Sequence, residues 1–214
     1  MIDMKRIDWF NDVPGARLLV MKPIPTRLRA GQKAPPFSAP SLSHGPFSVP
    51  GDAAFIHLQF RRFAGCPICS LHLRSFARRQ DELRQAGITE AAIFHSGADA
   101  LSRYHVDLPF FIIPDEEKRL YAMYGLERSW SAMMHPKSMW AAMRGMVSSP
   151  NNPLDAAGGY LGLPADFLID SEGNLLHVKY GDHADDHWEL DEVLHLVSTA
   201  GTTGNLGVPR ALAT

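Results

Sequence analysis

Residues 61–69 read RRFAGCPIC and lie between the most strand-like run in the first half of the chain and a long helical pattern. The run before them, residues 53–60 (AAFIHLQF), is mostly apolar, which is typical of a buried central strand. The run after them, residues 70–85 (SLHLRSFARRQDELRQ), has an apolar stripe and a charged face, which predicts an amphipathic helix. The only two cysteines of the protein, Cys66 and Cys69, therefore stand where a strand gives way to a helix.

Composition limits what kind of protein this is. A length of 214 residues suits one α/β domain with extensions and is short for two independent cores. The formal net charge is −2 and the basic residues form no block, so we expect neither a nucleic acid nor a membrane as partner. The N-terminus (MIDMKRIDWFNDVPG) lacks the apolar core of a signal peptide, and no run reaches the roughly 18 to 20 apolar residues of a membrane span.

We therefore expect a cytoplasmic protein in a compartment that keeps thiols reduced. In such a compartment a single cysteine pair is typical of catalysis or metal binding and not of a structural disulfide.

Strand and helix patterns alternate after the cysteine pair. Residues 91–94 (AAIF) and 109–113 (PFFII) are predicted strands, each followed by a helix, the second of them running from Pro114 through Tyr124. This order predicts a βαβ unit with a parallel sheet. Residues 163–170 and 175–180, joined by a turn that contains glycine, predict a β-hairpin.

The chain divides into an N-terminal extension (residues 1–30), a domain (31–200) and a flexible C-terminal tail (201–214). The extension contains an apolar run that predicts an edge strand, and residues 184–200 form the last predicted helix. Residues 129–147 are rich in methionine and predict either an adaptable partner-binding face or an amphipathic helix that covers the core or forms a dimer contact. A loop rich in proline, asparagine and glycine follows at residues 148–162.

A CxxC motif at the start of a helix places two sulfurs one turn apart, within reach of a disulfide. The unsatisfied N–H groups of the first turn and the helix dipole favour a thiolate at the first position. Cys66 is therefore the expected nucleophile, and Cys69, in the first turn and less exposed, is the expected resolving thiol. Pro67 suits the first helical turn, and Arg61 and Arg62 add positive potential if their side chains turn toward the sulfurs.

Two other interpretations of the cysteine pair stay open. A structural zinc ion usually needs four ligands, and there is no second cysteine pair, although His183 and His187 could complete a site. The pair could also be inert, packed in a helix of the core.

Three segments together resemble the thioredoxin-like superfamily, in particular its alkyl hydroperoxide reductase and thiol-specific antioxidant branch, which is peroxiredoxin-like. They are CPIC after a strand, PFFIIPDEEKRLYAMYGL, and LPADFLIDSEGNLLHVKYG. The resemblance covers residues 31–200 and implies an α/β thioredoxin-like fold with a central mixed sheet flanked by helices. It also implies a cis proline at Pro164 that faces the CxxC motif across a groove.

The chain departs from the peroxiredoxin pattern at three positions. That pattern has first a proline, then a threonine or serine three residues before the reactive cysteine. It also has an arginine near the start of a later strand. Gln59, Phe63 and Pro164 stand at these positions here. We therefore expect a thiol–disulfide oxidoreductase without a bound cofactor, acting on a protein or small-molecule thiol or disulfide. The alternatives are a two-cysteine peroxidase that reduces hydroperoxides and a redox-inactive binding module, with a homodimer as a further expected assembly.

An acidic segment with two histidines, residues 180–188 (YGDHADDHW), follows the hairpin. The topology implied by the resemblance places Gly181 and His183 near Cys66, where His183 could donate a proton to the leaving thiolate or tune the pKa of Cys66. His183 and His187 also have the i, i+4 spacing of metal ligands on a helix. The simpler interpretation is that the aspartates of this segment cap the last helix.

Overall fold

The computed structural model describes residues 27–105, 107–126 and 163–203. The predicted N-terminal edge strand, the methionine-rich segment and the loop at 148–162 lie outside the described residues, as do residues 204–214. Those predictions, and the division into extension, domain and tail, stay predictions. No helix within the described ranges is long and apolar enough to cross a membrane.

A five-stranded mixed sheet forms the centre of the fold. Its strand order is β5-β4-β3-β6-β7, and the strands are β3 (Phe55–Arg61), β4 (Ile88–Phe94), β5 (Phe111–Pro114), β6 (Ala165–Asp170) and β7 (Leu175–Tyr180). Strands β3, β4 and β5 are parallel, whereas β6 and β7 run antiparallel to their neighbours. A separate antiparallel hairpin consists of β1 (Phe37–Pro40) and β2 (Pro46–Val49). The predicted βαβ unit and the predicted C-terminal hairpin are confirmed.

Helices cover the sheet. They are α1 (Pro67–Arg78), α2 (Gln80–Gln85), α3 (Ala98–His105), α4 (Arg119–Met123) and α5 (Leu190–Thr203). On one face, α1, α3 and α5 pack on a core that includes Leu73, Leu168 and Val193. On the other face, the β1–β2 hairpin and α4 pack on Phe60 and Phe167. The central mixed sheet flanked by helices agrees with the expected fold class.

The first predicted helix, residues 70–85, is broken in the structure. Arg79 leaves helical geometry with φ −117° and ψ 25°, and its backbone N–H bonds to the carbonyl of Phe76 and so closes α1. The helix predicted from Pro114 through Tyr124 is reduced to α4. The carboxylate of Asp115 accepts the N–H groups of Arg119 and Tyr121 and so caps the helix only from that point.

The last helix begins six residues later than predicted, at Leu190. Residues 182–186 form their own turn, in which the carboxylate of Asp186 accepts the N–H of Asp182. The Glu192 carboxylate instead caps α5 by accepting the N–H of Glu189 across 2.8 Å. The aspartates of the acidic segment therefore do not cap this helix, and His183 and His187 do not share a helical face.

Strand pairing brings the expected site residues to one edge of the sheet. Arg61, at the end of β3, pairs with Phe94, and Phe60 pairs with Ala165 at the start of β6. Ala165 in turn pairs with Tyr180 at the end of β7. The loop that carries Cys66 therefore leaves the sheet at the edge where β6 begins and β7 ends.

Candidate active site

Cys66 is the N-cap residue of α1, with extended backbone (φ −68°, ψ 112°). Its Sγ accepts the backbone N–H of Cys69 at 3.4 Å and the Cys69 thiol at 2.8 Å. Pro67 fills the first helical position, where a missing N–H costs no hydrogen bond. The two sulfurs are thus placed for exchange with each other, and both are free thiols.

Both cysteines are buried, with 1% of Cys66 and 3% of Cys69 exposed. The expectation that Cys69 is the less exposed of the two is therefore wrong. Cys66 belongs to the same buried core cluster as Phe63, Ala64 and Ile68.

The two thiols differ in acidity. Burial raises the pKa of Cys66, but the hydrogen bond from Cys69, the charge of Arg62 and backbone N–H groups outweigh burial and lower this pKa to about 7. The pKa of Cys69 is raised well above its ordinary value, because that thiol is buried and donates to its neighbour. At neutral pH a large fraction of Cys66 is therefore thiolate, whereas Cys69 stays a thiol.

The two arginines before the loop have different surroundings. Arg62 is mostly buried, its guanidinium carbon lies 5.4 Å from the centre of the Phe63 ring, and its charge favours the Cys66 thiolate. Arg61 instead turns into the layer between the sheet and α1, where it donates to Asp166 at 2.7 Å. Of the two arginines named from the sequence, Arg62 is the one whose charge lowers the Cys66 pKa.

The loop between β3 and α1 is held at Ala64. The Ala64 N–H bonds to the Ser96 hydroxyl at 3.1 Å, and the Ala64 carbonyl accepts the Nε2–H of His105 at 2.9 Å. Burial lowers the pKa of His105 to about 4, so this histidine is a neutral donor. Sequence reasoning missed Ser96 and His105, since no local pattern connects them to the cysteines.

Pro164 and Gly181 are in direct contact. The Gly181 N–H bonds to the Pro164 carbonyl at 2.9 Å, and a Cβ on Gly181 would lie 2.9 Å from Cγ of the proline. Among the described residues the only cis peptide bond is Val49–Pro50, so the expected cis proline at Pro164 is wrong. His183 is half-buried and its Nδ1 accepts the N–H of Asp185, which ties the ring to its own turn.

A buried polar network fills the space between β3 and α1. It contains seven side chains, each at most 8% exposed, from five parts of the chain: His57, Gln59, Arg61, His72, Glu90, Asp166 and His187. Arg61 is at the centre of the network, since its guanidinium donates to Gln59, to Asp166 and to Nε2 of His72. The network links the end of β3 to the first residues of β6 and to α1.

His57 lies between two carboxylates in this network. Its Nδ1 is 2.8 Å from Glu90, and its Nε2 is 3.3 Å from Asp166. Burial lowers the pKa of His57, but the two carboxylates outweigh it and raise the pKa to about 9. The two carboxylates therefore favour the imidazolium form of His57, whose charge balances the buried acids.

A family model described as AhpC/TSA antioxidant enzyme matches residues 75–183, just over half of the chain. The chain belongs to this family. The matched segment begins after Cys69, so membership alone assigns no role to either cysteine. No curated protein sequence matches the chain.

Solved structures with the same fold include peroxiredoxins. Peroxidoxin BcpB from Mycobacterium tuberculosis is 15% identical, with a TM-score of 0.60 over 81% of this chain and 98% of that one. A 2-Cys peroxiredoxin from Plasmodium vivax is 14% identical, with a TM-score of 0.59 over 82% of this chain and 83% of that one. A protein described as the thiol:disulfide interchange protein DsbE, from Chlorobium tepidum, is 18% identical, with a TM-score of 0.52 over 79% and 99%. This AhpC/TSA family member therefore has the thioredoxin-like fold.

Proposed function

We propose that the protein is a thiol–disulfide oxidoreductase that cycles Cys66 and Cys69 between dithiol and disulfide. The observation that carries the proposal is the unequal acidity of two adjacent sulfurs, with the pKa of Cys66 at about 7 and that of Cys69 raised well above its ordinary value. A nucleophile with a pKa near the ambient pH combines a large thiolate fraction with good reactivity. Relatives of peroxiredoxin and thioredoxin-like type support thiol-dependent chemistry.

In the first step the Cys66 thiolate attacks a substrate disulfide, forms a mixed disulfide and releases one substrate thiolate. In the second step Cys69 loses its proton and attacks Sγ of Cys66, which forms the intramolecular disulfide and releases the second substrate thiolate. The charge of the Cys66 thiolate contributes to the raised pKa of Cys69. Because the first step removes that charge, Cys69 becomes more acidic when its attack is required.

Hydroperoxide reduction is a second candidate, favoured by the family model for antioxidant enzymes and by the peroxiredoxin neighbours. The Cys66 thiolate would attack the peroxide, giving a sulfenic acid and an alcohol after protonation of the alkoxide. Cys69 would then form the disulfide and release water. Arg62 is the cation beside the thiolate that would stand in for the expected arginine, since Arg61 is committed to Asp166.

We further propose that electrons come from another protein's dithiol or from a small thiol, without a bound cofactor, in the cytoplasm. Two free thiols three residues apart at the start of one helix suit a compartment that reduces disulfides. A homodimer, common among peroxiredoxins, is the assembly that we propose.

Intact-mass spectrometry after exposure to oxidised glutathione tests the proposal. The wild-type chain should lose two hydrogens as the disulfide forms, and Cys66→Ser should be inert. An unchanged wild-type mass would point to a redox-inactive binding module. Single-turnover kinetics with peroxide then separate the two enzymatic candidates, because only a peroxidase oxidises Cys66 with peroxide faster than a free thiol of the same pKa reacts.

A further inference from the structure

Two buried histidines of the polar network face each other. His72 is on α1 and His187 precedes α5, and their ring centres are 3.7 Å apart at an interplanar angle of 43°. The two residues are 5% and 8% exposed. Close contact between two imidazoles places several nitrogen atoms in one small volume.

Three of the four ring nitrogens have no hydrogen-bond partner. They are Nδ1 of His72 and both nitrogens of His187. Carboxylates lie just beyond hydrogen-bonding geometry, with Nε2 of His187 3.3 Å from Asp185 and Nδ1 of His187 3.8 Å from Glu189. Buried polar atoms without partners are rare in folded proteins, so this cluster requires an explanation.

We propose that His72, His187 and Glu189 form a binding site for a divalent transition-metal ion of the zinc and cobalt type. One ligand atom from each of the three residues lies within 4.8 Å of the other two. A single ion at ordinary metal–ligand distances of about 2 Å can reach all three after small side-chain adjustments. Glu189, whose side chain is 65% exposed, gives the ion a route from solvent.

The ligand set selects the class of metal. Two imidazoles and a carboxylate suit zinc, cobalt, nickel or iron, whereas magnesium and calcium prefer oxygen ligands alone. Cys66 and Cys69 take no part, and His187 and Glu189 lie beyond the segment that the family model matches.

Arg61 couples the ion to the network. In the structure Nη2 of Arg61 donates to Nε2 of His72 across 3.0 Å, which leaves the ring's proton on Nδ1. Coordination through Nδ1 moves that proton to Nε2 and gives up this hydrogen bond. The bonds to the metal compensate for the lost hydrogen bond. Arg61 keeps its hydrogen bonds to Gln59 and Asp166.

The test uses the full-length Cys66→Ser/Cys69→Ser variant, because thiolates would bind the same metals. Cobalt(II) is titrated and followed by visible absorption, and zinc(II) by calorimetry. One equivalent of cobalt should bind, with d–d bands and no sulfur-to-cobalt charge-transfer band, and zinc should displace it. His187→Gln should abolish binding. Glu189→Gln should weaken the metal affinity at least about 10-fold, because the loss of an outer-shell partner already weakens metal affinity by that factor.

His195→Gln is the matched control, since this histidine is exposed on α5 and should leave the affinity unchanged. Glu189→Gln changes only an exposed side chain, so the proposal can be tested even if His187→Gln does not fold. Absence of cobalt binding in the cysteine-free chain would overturn the proposal. So would an affinity that is the same in Glu189→Gln and in the control, since His187 would then be an ordinary ion-pair partner of its carboxylates.

Discussion

The Cys69 thiol donates its hydrogen to Sγ of Cys66 across 2.8 Å, inside the core and beside Arg62. One sulfur is thereby stabilised as a thiolate and the other as a thiol. Burial alone would have kept both protonated, because a charge is costly in an apolar environment. At Cys66 the hydrogen bond and the nearby guanidinium outweigh burial and lower the pKa.

Removing the thiol donor should raise the pKa of Cys66. In Cys69→Ala the thiolate loses its hydrogen bond from sulfur while burial remains, so the midpoint of its pH titration should move up from about 7. The rate of alkylation by iodoacetamide against pH measures this midpoint in wild type and variant. A midpoint that does not move would show that the Cys69 thiol does not stabilise the thiolate.

Removing the charge of Arg62 should also raise the pKa of Cys66. Arg62→Gln should slow alkylation of Cys66 at pH 7 about 3- to 6-fold, which corresponds to an increase of about 0.7 to 1 pKa unit from about 7. Arg78→Gln, on the exposed side of α1, should react like wild type. Equal rates in the two variants would exclude an electrostatic role for Arg62.

The buried imidazolium should make stability depend on pH. The folded pKa of His57 is raised to about 9, so its contribution is fully present below the unfolded value of about 6.5 and is lost as pH rises through about 9. We expect a loss of about 3 kcal/mol over this window. The lowered pKa of Cys66 acts in the opposite direction, because it adds stability above pH 7.

Urea unfolding of wild type and His57→Gln between pH 6 and 10 isolates this contribution, since both chains retain Cys66. The stability of wild type relative to His57→Gln should fall as pH rises. A constant difference would mean that His57 is neutral in the folded protein.

The Arg61–Asp166 pair should be costly to break. Arg61→Met leaves a fully buried carboxylate without its main partner, which should destabilise the fold by about 3 to 5 kcal/mol. Arg61→Met/Asp166→Leu should recover part of the loss, because it removes the unpaired charge. Denaturant midpoints measure both variants against the exposed control Arg78→Met, which should stay within about 0.5 kcal/mol of wild type. If Arg61→Met lost no more stability than Arg78→Met, the ion pair between Arg61 and Asp166 would not stabilise the fold.

Local patterns were enough to predict the βαβ unit, the hairpin and the position of the cysteines, because each depends on residues close in sequence. The helix boundaries were less predictable. Asp115 and Glu192 cap α4 and α5 at points that an apolar periodicity does not mark. The break at Arg79 falls inside a pattern that continues through it.

The polar network could not be predicted as a unit, since its members come together only in the folded chain. A signal was present in β3, where His57, Gln59 and Arg61 alternate with apolar residues and so share one face of a central strand. Asp166, the partner of His57 and Arg61, is more than 100 residues away in sequence. The sequence pattern favoured His183 as the functional histidine. In the structure His183 is half-buried, whereas His187 is buried in the network.

The most direct test is a trapping measurement on Cys69→Ser. Treated with oxidised glutathione at pH 7, this variant should accumulate a mixed disulfide between glutathione and Cys66, located by peptide mass spectrometry, because the resolving thiol is absent. Cys66→Ser should accumulate none on Cys69, whose pKa is raised well above its ordinary value. Equal modification of the two variants, or of neither, would contradict the assignment of Cys66 as the nucleophile.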